Sequence, residues 1–232
     1  MKTNPLSFLR APARIASALL LAGAVGACAS PGGNPQDPWE PMNRATFRFN
    51  DMADRAVMRP VAEAYDTVAP LPVKTGVSNV FGNVADLWIG VNNLLQGKVL
   101  DGLSDGGRFL INTTVGMLGV FDIATELGLE KHDEDLGQTL GVWGVGEGPF
   151  LVLPILGSSN FRDTLGLVGD LYADPVIQHK EVATRNSATG LRLVHKRSVL
   201  LGADTTAEQA ALDAKATLEQ RKQDALDEVE HL

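Results

Sequence analysis

Along most of this 232-residue chain, apolar and polar positions recur at helical rather than strand spacing. Between Met42 and Val57, apolar residues at 42, 45, 49, 52, 53 and 56 form one helical face, and Arg44, Arg48, Asp51 and Arg55 form the other. Pro41 suits a first turn and Pro60 ends the run, so an amphipathic helix is predicted with its apolar side on the core. From Lys74 to Gln96, Val77, Val80, Phe81, Val84, Trp88, Val91 and Leu95 follow the same repeat, with Asn79, Asn83, Asp86 and Asn93 on the opposite side. A solvated helix face usually carries Lys and Glu, whereas this one is mostly uncharged amide. Two readings stand open: the face lines a wet groove or meets polar head groups, or Asn79, Asn83, Asn92 and Asn93 mark breaks in a pair of shorter helices.

Residues 98–121 begin polar and end in an apolar stretch from Phe109, interrupted only by Asn112, Thr113 and Thr114. Small residues at 106, 107, 116 and 119 permit close helix approach. Glu130 to Asp135 reads as a charged surface loop. Residues 140–157, LGVWGVGEGPFLVLPILG, set Gly144, Gly146, Gly148 and Pro149 directly against an apolar run. They form either a hinge or gate beside an immersed segment, or a plain glycine-rich turn between packed elements. Ser159 or Asn160 caps a short helix before Pro175, and Leu191 to Leu201 continue as another helix with basic insertions. From Ala203 the chain is rich in Ala, Glu, Gln and Lys, a solvated helix or partly disordered tail. Period-two patterns are scarce, so the predicted class is all-α, a single helical domain over 39–202 with an acidic tail at 203–232.

The N-terminus changes the picture. Lys2, Arg10 and Arg14 precede the apolar run Ile15–Ala27, which is too short to span a bilayer and reads as a secretory signal peptide over 1–27. Its end, Val25-Gly26-Ala27-Cys28, resembles the bacterial lipobox, and Cys28 is the only cysteine, so no internal disulfide can form. Acylation of Cys28 with a diacylglycerol and an N-acyl chain is expected, each buried methylene contributing about 0.8 kcal/mol to anchoring. Ala29 after the cysteine, by resemblance to sorted Gram-negative lipoproteins, favours the outer membrane. Residues 28–38 then read as a flexible tether. Removing the three basic residues of the signal leaves 17 Lys+Arg against 28 Asp+Glu, a formal −11. That charge argues against nucleic acid and against electrostatic adhesion to anionic lipid.

Candidate catalytic chemistry is sparse. His132, His179, His195 and His231 are far apart in sequence, and His132 among Asp133, Glu134 and Asp135 lacks metal-ligand spacing, so no metal or other cofactor is expected. The run Gly144 to Pro149 is not a dinucleotide turn, and no nucleophile elbow is present. The expectation is a protein that is not an enzyme.

Ordered motifs spread over about residues 37–201 resemble the MlaA (VacJ) outer-membrane lipoproteins. They are Asp37-Pro-Trp-Glu-Pro-Met-Asn-Arg44 with Phe47 and Asn50, Arg59-Pro60-Val61, Ser78-Asn79, Val91-Asn-Asn-Leu-Leu-Gln-Gly97, and Arg108-Phe109 with Asn112-Thr113 and Gly116. Gly137-Gln-Thr-Leu-Gly141, Gly144 to Pro149, Leu153-Pro154, Gly157, Arg162-Asp163 and Asp174-Pro175 complete the series. The resemblance implies a ring-shaped, membrane-embedded helical body in the periplasmic leaflet of the outer membrane, bound to trimeric porins. It implies an amphipathic channel through which misplaced phospholipids leave the outer leaflet for a soluble periplasmic carrier, maintaining lipid asymmetry. After Gly202 the chain departs from the aromatic-rich ending of many relatives. The residues leave two competing functions open, a lipoprotein that scaffolds porins without carrying lipid and an exported lipid hydrolase.

Overall fold

The computed structural model describes residues 34–230; the signal peptide, Cys28 and the first part of the tether lie outside the described residues. Among the described residues the α-helices and the β-hairpin are α1 (Glu40–Ala53), α2 (Arg59–Val68), α3 (Leu71–Leu95), α4 (Val99–Thr114), α5 (Ile123–Glu126), α6 (Leu136–Val142), β1 (Phe150–Leu153), β2 (Gly157–Asn160), α7 (Phe161–Ala173) and α8 (Val182–Glu230). The described residues cluster into two compact units. One holds 34–53, 88–104 and 132–173, the other 54–87, 105–131 and 174–230.

Several expectations need correction. Pro60 does not end the first helical run. A π-helical turn, Asp54–Met58, carries the backbone onward, and Pro60 falls in the first turn of α2. The reading of residues 74–96 as a broken helix pair is overturned, because α3 runs unbroken for 25 residues through every one of its asparagines. The chain is also not purely α-helical. β1 and β2 pair antiparallel, Phe150 opposite Asn160 and Leu153 opposite Gly157. Four consecutive apolar residues in β1 carry no alternation, which is why the pattern did not announce a strand. The apolar stretch from Phe109 is likewise divided, since α4 stops at Thr114 and a turn with Met117 and Leu118 at positive φ follows.

The largest departure is in what is buried. The apolar side of α1 was expected inward, yet Phe49 and Met52 are exposed and Asn43 is the buried residue of that helix. The same holds throughout. Among the described residues the buried hydrophobic set is Ala62, Ile89, Ala124 and Val152, while the largest fully buried side chains are Arg108, Asn92, Asn93, Thr139, Asp86 and Asp105. Large apolar side chains on every long helix, Leu100, Leu103, Leu110 and Leu171 among them, point outward. A water-soluble domain of this size buries its Leu, Ile and Val and rarely exposes a broad apolar surface.

In the unit holding the hairpin, this polar interior has a clear structural purpose. β1 has β2 on one edge, and its other edge meets α1, which cannot offer a backbone ladder. Asn43 and Asn50, two helical turns apart, supply the missing groups. Asn43 Nδ2 donates to Phe150 O (3.0 Å) and its Oδ1 accepts from Val152 N (2.9 Å). Asn50 Nδ2 donates to Leu153 O (2.8 Å) and its Oδ1 accepts from Ile155 N (2.8 Å). Each amide presents one donor and one acceptor, as a strand residue would, so four backbone groups along this edge are paired. Asp37 accepts the second hydrogen of Asn43 Nδ2 at 2.6 Å, fixing the amide's orientation.

Elsewhere in the same unit, Thr139 on α6 donates to Asn92 Oδ1 (2.8 Å), and Gln96 reaches Thr139 and Glu134. Lys98 pairs with Glu134 at 2.6 Å, so the supposed solvated loop at 130–135 is partly tied down. Helices α6 and α7 meet at Gly137 and Gly166, where a Cβ on Gly166 would fall 2.2 Å from Gly137 N. In the other unit, Tyr65 on α2 meets His195 on α8, and Arg197 holds Asp54 and Asp204.

Candidate functional site

Of the polar face anticipated on α3, Asn79, Asn83 and Asp86 line one cavity. Ser78, Asn79, Gly82, Asn83 and Asp86 fall one helical turn apart along α3. Arg108 and Asn112, four residues apart on α4, face them, and Asp122 and Lys131 arrive from the segments flanking α5. Together these nine residues line a polar cavity of about 100 Å³.

Arg108 organises it. The guanidinium is only 1% exposed and spends all five N–H groups. Nε donates to Asp86 Oδ2 (3.3 Å), Nη1 to Thr125 Oγ1 (2.9 Å) and Leu129 O (2.6 Å), and Nη2 to both oxygens of Asp122 (2.9 Å each). Asp122 also accepts from Asn112 Nδ2 and caps α5 through Thr125 N. Burial pushes the Asp122 carboxyl up, but hydrogen bonds from Thr125, Asn112 and Arg108 outweigh that and hold it at about 2. Asp86, more deeply buried than Asp122, is shared between Arg108 and the ammonium of Lys131, which also donates to Gly82 O at 3.3 Å. Two carboxylates therefore face two cations, and the site is neutral as a set.

The amides are less fully engaged. Asn79 Nδ2 donates to Val120 O (3.0 Å), and Asn83 Nδ2 donates to Thr113 Oγ1 (2.9 Å). Asn83 is 4% exposed and its Oδ1 has no hydrogen-bond partner. Asn93, the fourth member of the predicted face, does not share this cavity; it is buried in the other unit.

Gly144, Gly146, Gly148 and Pro149 belong to the hairpin's unit and have separate tasks. Gly144 (φ 88°) ends α6: its N–H bonds Gly141 O and the next N–H, of Val145, bonds Leu140 O, a Schellman stop. Gly148 (φ 69°) faces Phe161 closely, and the carbonyls of Glu147 and Pro149 accept from the first N–H groups of α7. Only Gly146 has open space around it and an ordinary φ.

Sequence reasoning gave Arg108 and Asn112 no role and passed over Asp122 and Lys131. One signal was available. Arg108 stands at the head of an apolar run, and a cation there needs a carboxylate partner nearby.

Comparison with known proteins decides the kinship. The MlaA lipoprotein family model matches residues 35–221. The chain belongs to this family. An intermembrane phospholipid transport system lipoprotein MlaA of Shigella flexneri is 35% identical over 192 residues, covering 79% of this chain and 76% of its own. The Escherichia coli K12 protein of the same name is 39% identical over 150 residues, 62% of this chain and 60% of that one. A Rickettsia typhi protein is 40% identical over 137 residues, and the match spans 55% of that relative's length. A solved structure described as "Structural basis for maintenance of bacterial outer membrane lipid asymmetry" matches with a TM-score of 0.65 at 30% identity, covering 79% of this chain and 96% of that one.

Proposed function

We propose that this chain is an outer-membrane lipoprotein, anchored by acyl chains on Cys28, that removes mislocalised phospholipids from the outer leaflet and so maintains lipid asymmetry. Its body is embedded in the periplasmic leaflet as a ring, beside a trimeric porin. The lipid crosses by an amphipathic channel and passes to a soluble periplasmic carrier. No bond of the lipid is cleaved, so the protein acts as a transporter and not as an enzyme.

The observation that carries this reading is the inverted distribution of side chains. A surface of exposed Leu, Val and Phe around a hydrogen-bonded polar interior is stable when the outside solvent is lipid. There is then no hydrophobic gain in burying Leu, and every polar group must find a partner inside. Among the described residues no helix is long and apolar enough to cross a membrane, which agrees with immersion in one leaflet. The polar interior, in turn, suits a head group that must be drawn past an apolar layer.

The test is a deletion strain complemented with the chain. Outer-leaflet phospholipid and detergent sensitivity are expected to rise on deletion and fall on complementation. Unchanged outer-leaflet phospholipid in the deletion strain under envelope stress would overturn the reading.

A further inference from the structure

We propose that the Asp86–Asn83–Gly82 corner of the cavity is a binding site for a primary ammonium group, that of an aminophospholipid head group, and that Lys131 occupies it as an internal stand-in. The proposal rests on the transport reading for its choice of a lipid.

Two acceptors hold Lys131 Nζ at the corner, and a third acceptor belongs to a residue that lines the same cavity. Lys131 Nζ is held by Asp86 Oδ1 and by Gly82 O at 3.3 Å. Asn83, which lines the same cavity, contributes a buried Oδ1 with no partner. An –NH₃⁺ group carries three donors and no acceptor, so a carboxylate, a carbonyl and an amide oxygen are the complement it needs. A buried acceptor left unmade costs about 1–3 kcal/mol, and a donor-bearing ligand removes that penalty.

Lys131 is placed to give way. Its side chain is 44% exposed, whereas Asp86 is 1% exposed, and it comes from the irregular segment between α5 and α6. Gly82 is a mid-helix glycine, which is unfavourable by about 1 kcal/mol relative to Ala. A Cβ there would lie 3.3 Å from Lys131 Nζ, so the missing side chain keeps the carbonyl approachable to an ammonium. When Lys131 swings out, the corner is left with Asp86 and Asp122 against Arg108 alone, one negative charge in excess. Exchanging one ammonium for another restores neutrality and makes the same bonds, so entry of the ligand needs little net work. The displaced Lys131 then meets the phosphate that adjoins the ligand's amine.

The setting favours a lipid over a free amine. Asn79 is bonded to Val120 O, and Gly119 packs on Asn83, so the turn carrying exposed Met117, Leu118 and Phe121 borders the cavity. A head group in the polar corner would have its chains beside that apolar turn. A quaternary choline group has no N–H to offer and cannot satisfy the three acceptors.

The experiment uses the full lipidated chain in non-ionic detergent. Lys131→Ala is expected to lower the melting temperature, and ethanolammonium chloride to restore it, while choline chloride at equal ionic strength does not. Lys131→Met, which fills the place without a charge, is expected to show no rescue. In the wild type, dodecylphosphoethanolamine is expected to bind about tenfold or more tighter than dodecylphosphocholine, the change that one lost hydrogen bond to a charged group produces. Asn83→Leu is expected to reduce that preference, since Asp86 and Gly82 O remain. Equal action of the two salts, or equal binding of the two amphiphiles, would overturn the site as one filled by water alone. Ethanolammonium binding as tightly as dodecylphosphoethanolamine would overturn the lipid assignment in favour of a soluble amine. If the deletion strain accumulates outer-leaflet phospholipid while the ammonium tests fail, only the site is lost; the reverse result would overturn the transport reading and leave the site standing.

Discussion

Replacing Arg108 by Met removes a guanidinium of nearly matched length and leaves its partners in place. Five hydrogen bonds go, to Asp86, Thr125, Leu129 and twice to Asp122. Asp86 keeps Lys131, and Asp122 keeps Asn112 and the α5 cap, so the loss is not total. Removing one partner of a buried ion pair costs about 3–5 kcal/mol, because the other charge stays desolvated. For a chain of this size that corresponds to a melting temperature lower by roughly 6–20 °C. The assay is a thermal melt followed by circular dichroism in non-ionic detergent, carried out as a double-mutant cycle. Asp122→Asn in the Arg108→Met background removes the stranded charge while keeping Asn112's acceptor. The double variant is therefore expected to be more stable than the sum of the single changes by at least about 1 kcal/mol. An Arg108→Met shift below about 2 °C, or strict additivity in the cycle, would refute the role given to this network.

Further expectations follow from the other sites. Asp122, depressed from 3.8 to about 2, stabilises the fold above pH ~4 by about 2 kcal/mol, and this is lost as pH falls toward 2; Asp122→Asn should flatten that limb in acid melts. Asn43→Ala and Asn50→Ala each strand two backbone groups of the hairpin segment and are expected to cost about 1–3 kcal/mol, with faster hydrogen exchange at Val152 and Ile155 respectively. Gly144→Ala is expected to lower stability by roughly 1 kcal/mol at its positive φ, whereas Gly146→Ala should leave the melt unchanged. If the loop is a hinge, Gly146→Ala lowers lipid export in cells at that unchanged stability; full export returns the segment to a turn. Gly166→Ala drives a Cβ into the Gly137 backbone and is expected to cost at least about 1–3 kcal/mol in the same melt.

Much of the helical order was legible in the sequence, because a 3.6-residue repeat is a local signal that survives whatever surrounds the helix. The Asn160 cap of α7 was legible for the same reason, and its Oδ1 accepts Asp163 N at 2.8 Å. Burial was not legible. The repeat separates two faces but does not say which is inside, and Phe49 and Met52, expected inward, are exposed. β1 was hidden because its edge is completed by two side chains over a hundred residues away, Asn43 and Asn50. Within the cavity, Asn79, Asn83 and Asp86 could be seen as one helical face, but Asp122 and Lys131 come from irregular segments whose course depends on the network they complete. Asn93 shares the face on paper and belongs elsewhere, since α3 passes from one compact unit into the other between Leu87 and Trp88.

The central claim is that this chain carries its lipid-facing surface outside and its head-group path inside. It is tested most directly by photo-crosslinking in living cells from single positions of the 54–87 and 105–131 unit, using phospholipids that bear the second reactive partner on either the head group or the acyl chain. Head-group probes are expected to capture Asn79 and Lys131, and acyl-chain probes Leu110 and Leu118, both broadly exposed. Capture of head groups at Leu110 with none at Asn79 or Lys131 would contradict the account.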